Sequence, residues 1–108
     1  MNLQISPTEL AEKLRSENPP CLLDVREPEE HTFVTLPNSK LIPLGEVASH
    51  LDEIENWKEQ EVVVYCHHGI RSLNAIAQLQ HLGFTNLRNL AGGIDRWSLE
   101  IDPALPRY

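Results

Sequence analysis

The sequence predicts an α/β fold, a parallel sheet covered by helices on both faces. Two observations predict it. Short apolar runs that read as strands alternate with amphipathic stretches that read as helices along the chain. One run, Val62-Val63-Val64, is apolar at successive positions, the pattern of a strand buried on both sides. In such sheets the working residues gather at the carboxyl ends of the strands.

The first element in order is a helix opened by Ser6-Pro7-Thr8-Glu9. Ser6 can cap the free N–H groups, Pro7 suits the first helical position, and Glu9 can complete a capping box. Leu10, Ala11 and Leu14 share one face, and Asn18-Pro19-Pro20 stops the helix. Cys21 to Val25 reads as a buried strand with Arg26-Glu27-Pro28 at its carboxyl end, and Pro28 to Phe33 as a brief helix. Leu36 to Ser39 is a loop, and Lys40-Leu41-Ile42 is a short strand closed by Pro43.

Leu44, Val47, Ala48, Leu51 and Ile54 recur at helical spacing and predict a second main helix. Glu61 to Tyr65 is the central strand. Ser72 to Leu82 reads as a helix with Leu73, Ile76, Ala77 and Leu79 facing inward and Gly83 as its stop. Leu87 to Leu90 is a last strand, Gly92-Gly93 a turn, and Ile94 to about Leu99 a short terminal helix. The tail through Pro103 and Pro106 is irregular.

At 108 residues the chain is read as one domain, residues 1–108. A chain of this size buries roughly two-thirds of its unfolded surface, enough for a core without staples. The formal charge is −7, from 16 acidic and 9 basic residues, which argues against non-specific binding to nucleic acid. No apolar run approaches the roughly 18 residues of a membrane span, and no signal peptide is read at the amino terminus. Two cysteines, Cys21 and Cys66, are too few for a disulfide framework. A cytoplasmic location is expected, where thiols stay reduced.

The chemistry concentrates in Cys66-His67-His68-Gly69-Ile70-Arg71-Ser72, between the central strand and the following helix. A helix N-terminus presents unpaired N–H groups and the positive end of a dipole. A cysteine held there is expected to react as its thiolate. Consecutive residues cannot converge tetrahedrally, so His67 and His68 are not read as metal ligands. They are expected to shape the pocket rim, while Arg71 can point into the pocket or away from it. No metal or cofactor is called for. Cys21, opening a strand among apolar residues, is read as core packing. His31, His50 and His81 fall on polar helix faces without an assigned role, and Trp57 and Trp97 are read as packing residues.

Three segments together resemble the rhodanese family of sulfurtransferases, in particular its single-domain members. They are Leu22-Leu23-Asp24-Val25-Arg26-Glu27-Pro28-Glu29-Glu30, Val63 through Ser72, and Leu90-Ala91-Gly92-Gly93-Ile94-Asp95-Arg96-Trp97. The resemblance implies a three-layer α/β/α sandwich around a five-stranded parallel sheet. It implies that Cys66 takes a sulfane sulfur from a donor and passes it on, with the N–H groups of His67, His68, Gly69, Ile70, Arg71 and Ser72 cradling the persulfide. Asp24 is expected to brace the structure, and Arg26 to hold an anionic donor or the loop. Many members carry Gly-His-Ile-x-Gly-Ala where this chain has Leu36-Pro37-Asn38-Ser39-Lys40-Leu41.

The expected reaction is therefore sulfur transfer from thiosulfate or a protein persulfide to a thiol or cyanide. A small donor and acceptor, or a sulfur-carrier or desulfurase protein, would be the partners, and the chain would act as a monomer or weak dimer. Two other classes compete. A binding module would use the fold without chemistry. A cysteine-dependent phosphatase or arsenate reductase would need a wider loop: such phosphatases place five residues between cysteine and arginine, whereas four separate Cys66 from Arg71.

Overall fold

The computed structural model describes residues 3–108. Five parallel strands form one sheet: β1 (Gln4–Ile5), β2 (Cys21–Asp24), β3 (Lys40–Leu41), β4 (Val62–Tyr65) and β5 (Leu87–Leu90), in the order β1-β5-β4-β2-β3. Four α-helices accompany it: α1 (Pro7–Leu14), α2 (Pro28–Phe33), α3 (Ile70–His81) and α4 (Gly93–Glu100). Among the described residues no helix is long and apolar enough to cross a membrane.

The alternation along β4 divides the core. Val62 and Val64 face a layer built with Ala75, Ile76 and Leu79 of α3 and with Val47 and Ile54. Val63 and Tyr65 face the other layer, with Leu10 and Ala11 of α1 and Ile94 and Trp97 of α4. All four β4 side chains are buried, as the valine run predicts. Burying large apolar side chains contributes about 1.5–3 kcal/mol each, so this strand is the centre of the stability as well as of the sheet. The alternation continues into Cys66, which belongs to the α3 side.

The α1 start follows its sequence, with Ser6 accepting a hydrogen bond from the Glu9 N–H and Pro7 in the first turn. Three features depart from the sequence reading. Gln4–Ile5 is a strand that a two-residue edge pairing makes invisible to periodicity. The stretch after Pro43 is not a main α-helix but 3-10 turns at Leu44–Glu46 and Ala48–Trp57, with non-helical angles at His50 and Ile54. Tight turns of about three residues still bring Val47 and Ile54 to the core while Ala48 is exposed. α3 begins two residues earlier than expected, and its buried face is Ser72, Ala75, Ile76 and Leu79, with Leu73 40% exposed. The tail folds back, placing Tyr108 beside Phe33 and His67.

Parallel register sets Asp24 opposite Tyr65. The carboxyl ends of β2 and β4 therefore meet, and Asp24, Arg26 and Cys66 emerge at one end of the sheet.

Candidate active site

Cys66 is 1% exposed and lies at the floor of a shallow 240 Å³ depression lined by His67, His68, Ile70 and Arg71. Its Sγ accepts from the Gly69 N–H at 3.1 Å and the Ser72 N–H at 3.4 Å, and lies 3.4 Å from Ser72 Oγ. The loop turns sharply because Gly69 takes φ +102°, a conformation that L side chains resist. That turn points the first N–H groups of α3 at the sulfur, where the helix end favours negative charge. Of the N–H groups between His67 and Ser72, those of Gly69 and Ser72 are the ones that reach it.

The loop is held from below by α4. The Ile94 N–H donates to Cys66 O at 2.9 Å and the Asp95 N–H to His67 O at 3.1 Å. Close approach requires the glycine before them. A Cβ at Gly93 would lie 2.3 Å from His67 O, and Gly93 already sits at φ +64°. The Gly92-Gly93 pair is thus more than a turn: it docks a helix N-terminus on the loop carbonyls.

Asp24 and Arg26 form a fully buried pair beside the site. Arg26 Nε and Nη2 donate to the two Asp24 oxygens at 2.9 and 2.8 Å, and Nη2 also donates to Val34 O at 2.6 Å. Burial works against the guanidinium charge, but bonds to Asp24 and Tyr108 outweigh it and hold the Arg26 pKa above its ordinary value. The structure directs Arg26 to Asp24 and Val34, and it does not line the depression over Cys66. His31, assigned no role from sequence, places Nδ1 2.7 Å from Asp24 Oδ2.

Arg71 lines the depression yet is committed. It donates to both Glu30 oxygens, at 2.6 and 2.9 Å. This bidentate bond above all holds the Glu30 carboxyl at about 2. Tyr108 completes the chain: its hydroxyl accepts from Arg26 at 2.9 Å and donates to Glu30 at 2.6 Å, and its ring stacks on His67 with centroids 3.9 Å apart. Burial and Glu30 push the Tyr108 phenol up to about 12. Burial, then His68, lowers the His67 pKa, so that ring is neutral at pH 7.

The Glu30 shift has a testable sign. Its folded pKa lies below the ordinary 4.5, so its contribution is present above pH 4.5 and is lost as pH falls toward 2. Solvent around Arg71 limits that contribution to about 1–2 kcal/mol. Urea unfolding of wild type and Glu30→Gln should therefore differ by this amount at pH 6, with the gap narrowing as pH falls from 4.5 toward 2. A constant gap would rule out the carboxylate as its source.

The structure brings Cys66, its loop and the Asp24–Arg26 pair, all singled out from the sequence, to one end of the sheet. Sequence reasoning missed Asn89, whose buried amide touches Gly69 and Ser72, and the Glu30–Tyr108 contacts. The polar Asn89 two places after Leu87, on a core-facing position of β5, is the available signal, because a buried amide needs partners. The Leu36–Leu41 segment keeps a structural task, with Ser39 Oγ and the Leu36 N–H bonding the buried Tyr65 hydroxyl at 2.8 and 3.2 Å.

Comparison with known proteins converges on one family. The rhodanese-like domain model matches residues 6–100. A sulfurtransferase of Allochromatium vinosum is 32% identical over 95 residues, covering 88% of this chain and 87% of its own. The adenylyltransferase and sulfurtransferase uba4 of Ogataea parapolymorpha is 38% identical over 97 residues, covering 90% of this chain and 25% of its own. The chain spans about a quarter of the length of several such larger relatives. Among solved structures, a rhodanese-like domain protein from Staphylococcus aureus superposes with TM-score 0.83 at 30% identity, covering 100% of this chain and 99% of that one. The human single-domain sulfurtransferase TSTD1 gives TM-score 0.80 at 29% identity, with 93% and 98% covered. On its sequence, its five-stranded parallel fold and its cysteine loop, the chain belongs to the rhodanese-like domain family, whose sulfurtransferases are its relatives.

Proposed function

We propose that the protein is a sulfurtransferase that carries sulfane sulfur as a persulfide on Cys66, with protein-borne sulfur as its preferred substrate. The observation that carries the reading is the cradle itself. A buried cysteine sulfur receives two backbone N–H groups at the start of α3, at the floor of a small open depression. Fixed N–H donors aimed at developing charge are an effective form of catalysis.

The reaction proceeds in two displacements. The Cys66 thiolate attacks the sulfane sulfur of the donor. The new S–S bond forms as the donor bond breaks, and the leaving group departs with its electron pair, as sulfite from thiosulfate or as a thiolate from a persulfide. The N–H groups of Gly69 and Ser72 hold the sulfur at the loop. An acceptor thiolate or cyanide then attacks the outer sulfur, and Cys66 leaves as thiolate. Covalent catalysis of this form predicts ping-pong kinetics.

The preference for protein-borne sulfur rests on charge and surface. Arg71 is already paired with Glu30 and His67 is neutral, so little charge is left over the depression to hold a small dianion. Exposed apolar side chains lie at its edge: Ile70, 78% exposed, lines it, and Phe33, 54% exposed, packs on the Tyr108 ring that stacks on His67. An apolar rim around a reactive group suits a macromolecular partner. A desulfurase persulfide as donor and a sulfur-carrier protein as acceptor fit that chemistry. The likeness to the adenylyltransferase and sulfurtransferase uba4 supports the sulfurtransferase part of this reading.

Initial rates with varied donor and acceptor test it. Parallel double-reciprocal lines are expected, with kcat/KM for a protein-borne cysteine persulfide at least about tenfold above that for thiosulfate, equivalent to ~1.4 kcal/mol. Intersecting lines would remove the covalent intermediate. Equal or better use of thiosulfate would remove the preference.

A further inference from the structure

We infer that Asn89 is the positioning residue of the sulfur cradle. The inference rests on Cys66 being the sulfur-carrying nucleophile. Asn89 leaves β5 on the face that carries the loop and is 2% exposed. Its Nδ2 donates to Gly69 O at 3.3 Å and to Gln4 Oε1 at 3.0 Å, while its Oδ1 accepts from Ser72 Oγ.

These two loop partners are the residues whose N–H groups reach Cys66 Sγ. At each, the backbone N–H faces the sulfur while another group of the same residue is bonded to Asn89: the carbonyl of Gly69 and the hydroxyl of Ser72. One planar amide therefore fixes both donors at once, giving a hydrogen bond from its nitrogen to the first partner while its oxygen accepts one from the second. Asn89 itself is anchored to the sheet by the β5 backbone and to β1 through Gln4. Asn89 packs directly on this turn: a Cβ at Gly69 would stand in ordinary contact, 3.5 Å from Asn89 Nδ2, so it is the φ of +102° that calls for glycine there.

The Asn89 side chain bonds Gly69, Ser72 and Gln4 and not Sγ, so its effect passes through Gly69 and Ser72. Cradle donors displaced by a fraction of an ångström to one ångström lose rate on the order of 10- to 100-fold. That loss should fall on the chemical step, leaving the KM for the acceptor near its wild-type value. Truncation also leaves Gly69 O and Ser72 Oγ without this partner.

The test compares wild type, Asn89→Ala, Asn89→Asp, Ser72→Ala and the Asn89→Ala/Ser72→Ala pair. The first readout is alkylation of Cys66 by iodoacetamide at pH 7, scored by peptide mass so that Cys21 is counted separately. The second is the kcat of persulfide transfer. Asn89→Ala is expected to slow both by about tenfold or more. The double variant should be far less impaired than the product of the two single effects, because residues acting in one network are not additive. Asn89→Asp keeps the size and the acceptor for Ser72 but sets a carboxylate oxygen against Gly69 O. It should also slow both readouts, and it decides the matter if the alanine variant is unfolded.

A folded Asn89→Ala or Asn89→Asp protein with unchanged or faster alkylation and transfer would overturn the inference. Multiplicative effects in the double variant would do the same. Alkylation needs no sulfur donor, so a wild type that accepts no sulfur would refute the proposed function while the comparison still reads the part played by Asn89.

Discussion

Cys66→Ser should lose sulfur transfer to background while remaining folded. A serine oxygen fits the same space and meets the same N–H donors from Gly69 and Ser72. It is a weak nucleophile at neutral pH without an adjacent base, and it cannot form the S–S bond that carries the cargo. The cradle would remain intact with nothing to hold. Because the exchange is near-isosteric, unfolding free energy should change by no more than about 1 kcal/mol. Transfer assays beside urea unfolding check both halves. Retained turnover would place the sulfur elsewhere, and Cys21 would then be the remaining thiol.

Asp24→Ala should be the most destabilising of the single substitutions considered. Asp24 receives the Arg26 backbone N–H, its Nε and its Nη2, and lies 2.7 Å from His31 Nδ1, all with zero side-chain exposure at Asp24 and Arg26. Removing the carboxylate leaves a buried guanidinium with carbonyl and phenol partners but no counter-charge. Breaking a buried pair in this way costs about 3–5 kcal/mol. The loss should propagate to the site, because Arg26 also bonds Tyr108, which bonds Glu30, the partner of Arg71. Replacing both charges, as Asp24→Leu with Arg26→Met, should recover much of that stability, since the uncompensated charge is gone. Urea denaturation of the three proteins is decisive: a loss below about 1 kcal/mol for Asp24→Ala would show that the pair is not the brace its burial indicates.

What could be read from the sequence follows the range of the interactions involved. β2 and β4 are apolar runs whose burial needs no partner to be recognised, and the alternation of elements defines the sheet. The Cys66 loop was legible because nucleophile, turn glycine and helix start are adjacent in the chain. β1 was not, since two residues at an edge carry no period. The 44–57 stretch carries a helical period, but its apolar residues reach the core by tight turns. The face of α3 was misassigned at Leu73 and Ala77, both exposed, because Ser72 is drawn inward by Asn89 and the sulfur, a demand of the site that hydrophobicity does not record.

The supporting groups were hidden for a related reason. Arg71 finds Glu30 across 41 residues, and Tyr108 finds Glu30 across 78. Neither pairing has a local pattern. They exist because parallel register brings the ends of β2 and β4 together and the tail returns to the same end. The family resemblance supplied the five strands and the family placement. The side-chain ties around the cradle are particular to the folded chain.

The most direct test of the central claim is intact mass. The reduced protein is mixed with thiosulfate and, separately, with a protein-borne cysteine persulfide, and each product is weighed and then treated with cyanide. Wild type should gain one sulfur atom from the protein persulfide, more readily than from thiosulfate, and release it as thiocyanate. Cys66→Ser should gain none. No added sulfur on wild type from either donor, or equal loading of Cys66→Ser, would contradict the account.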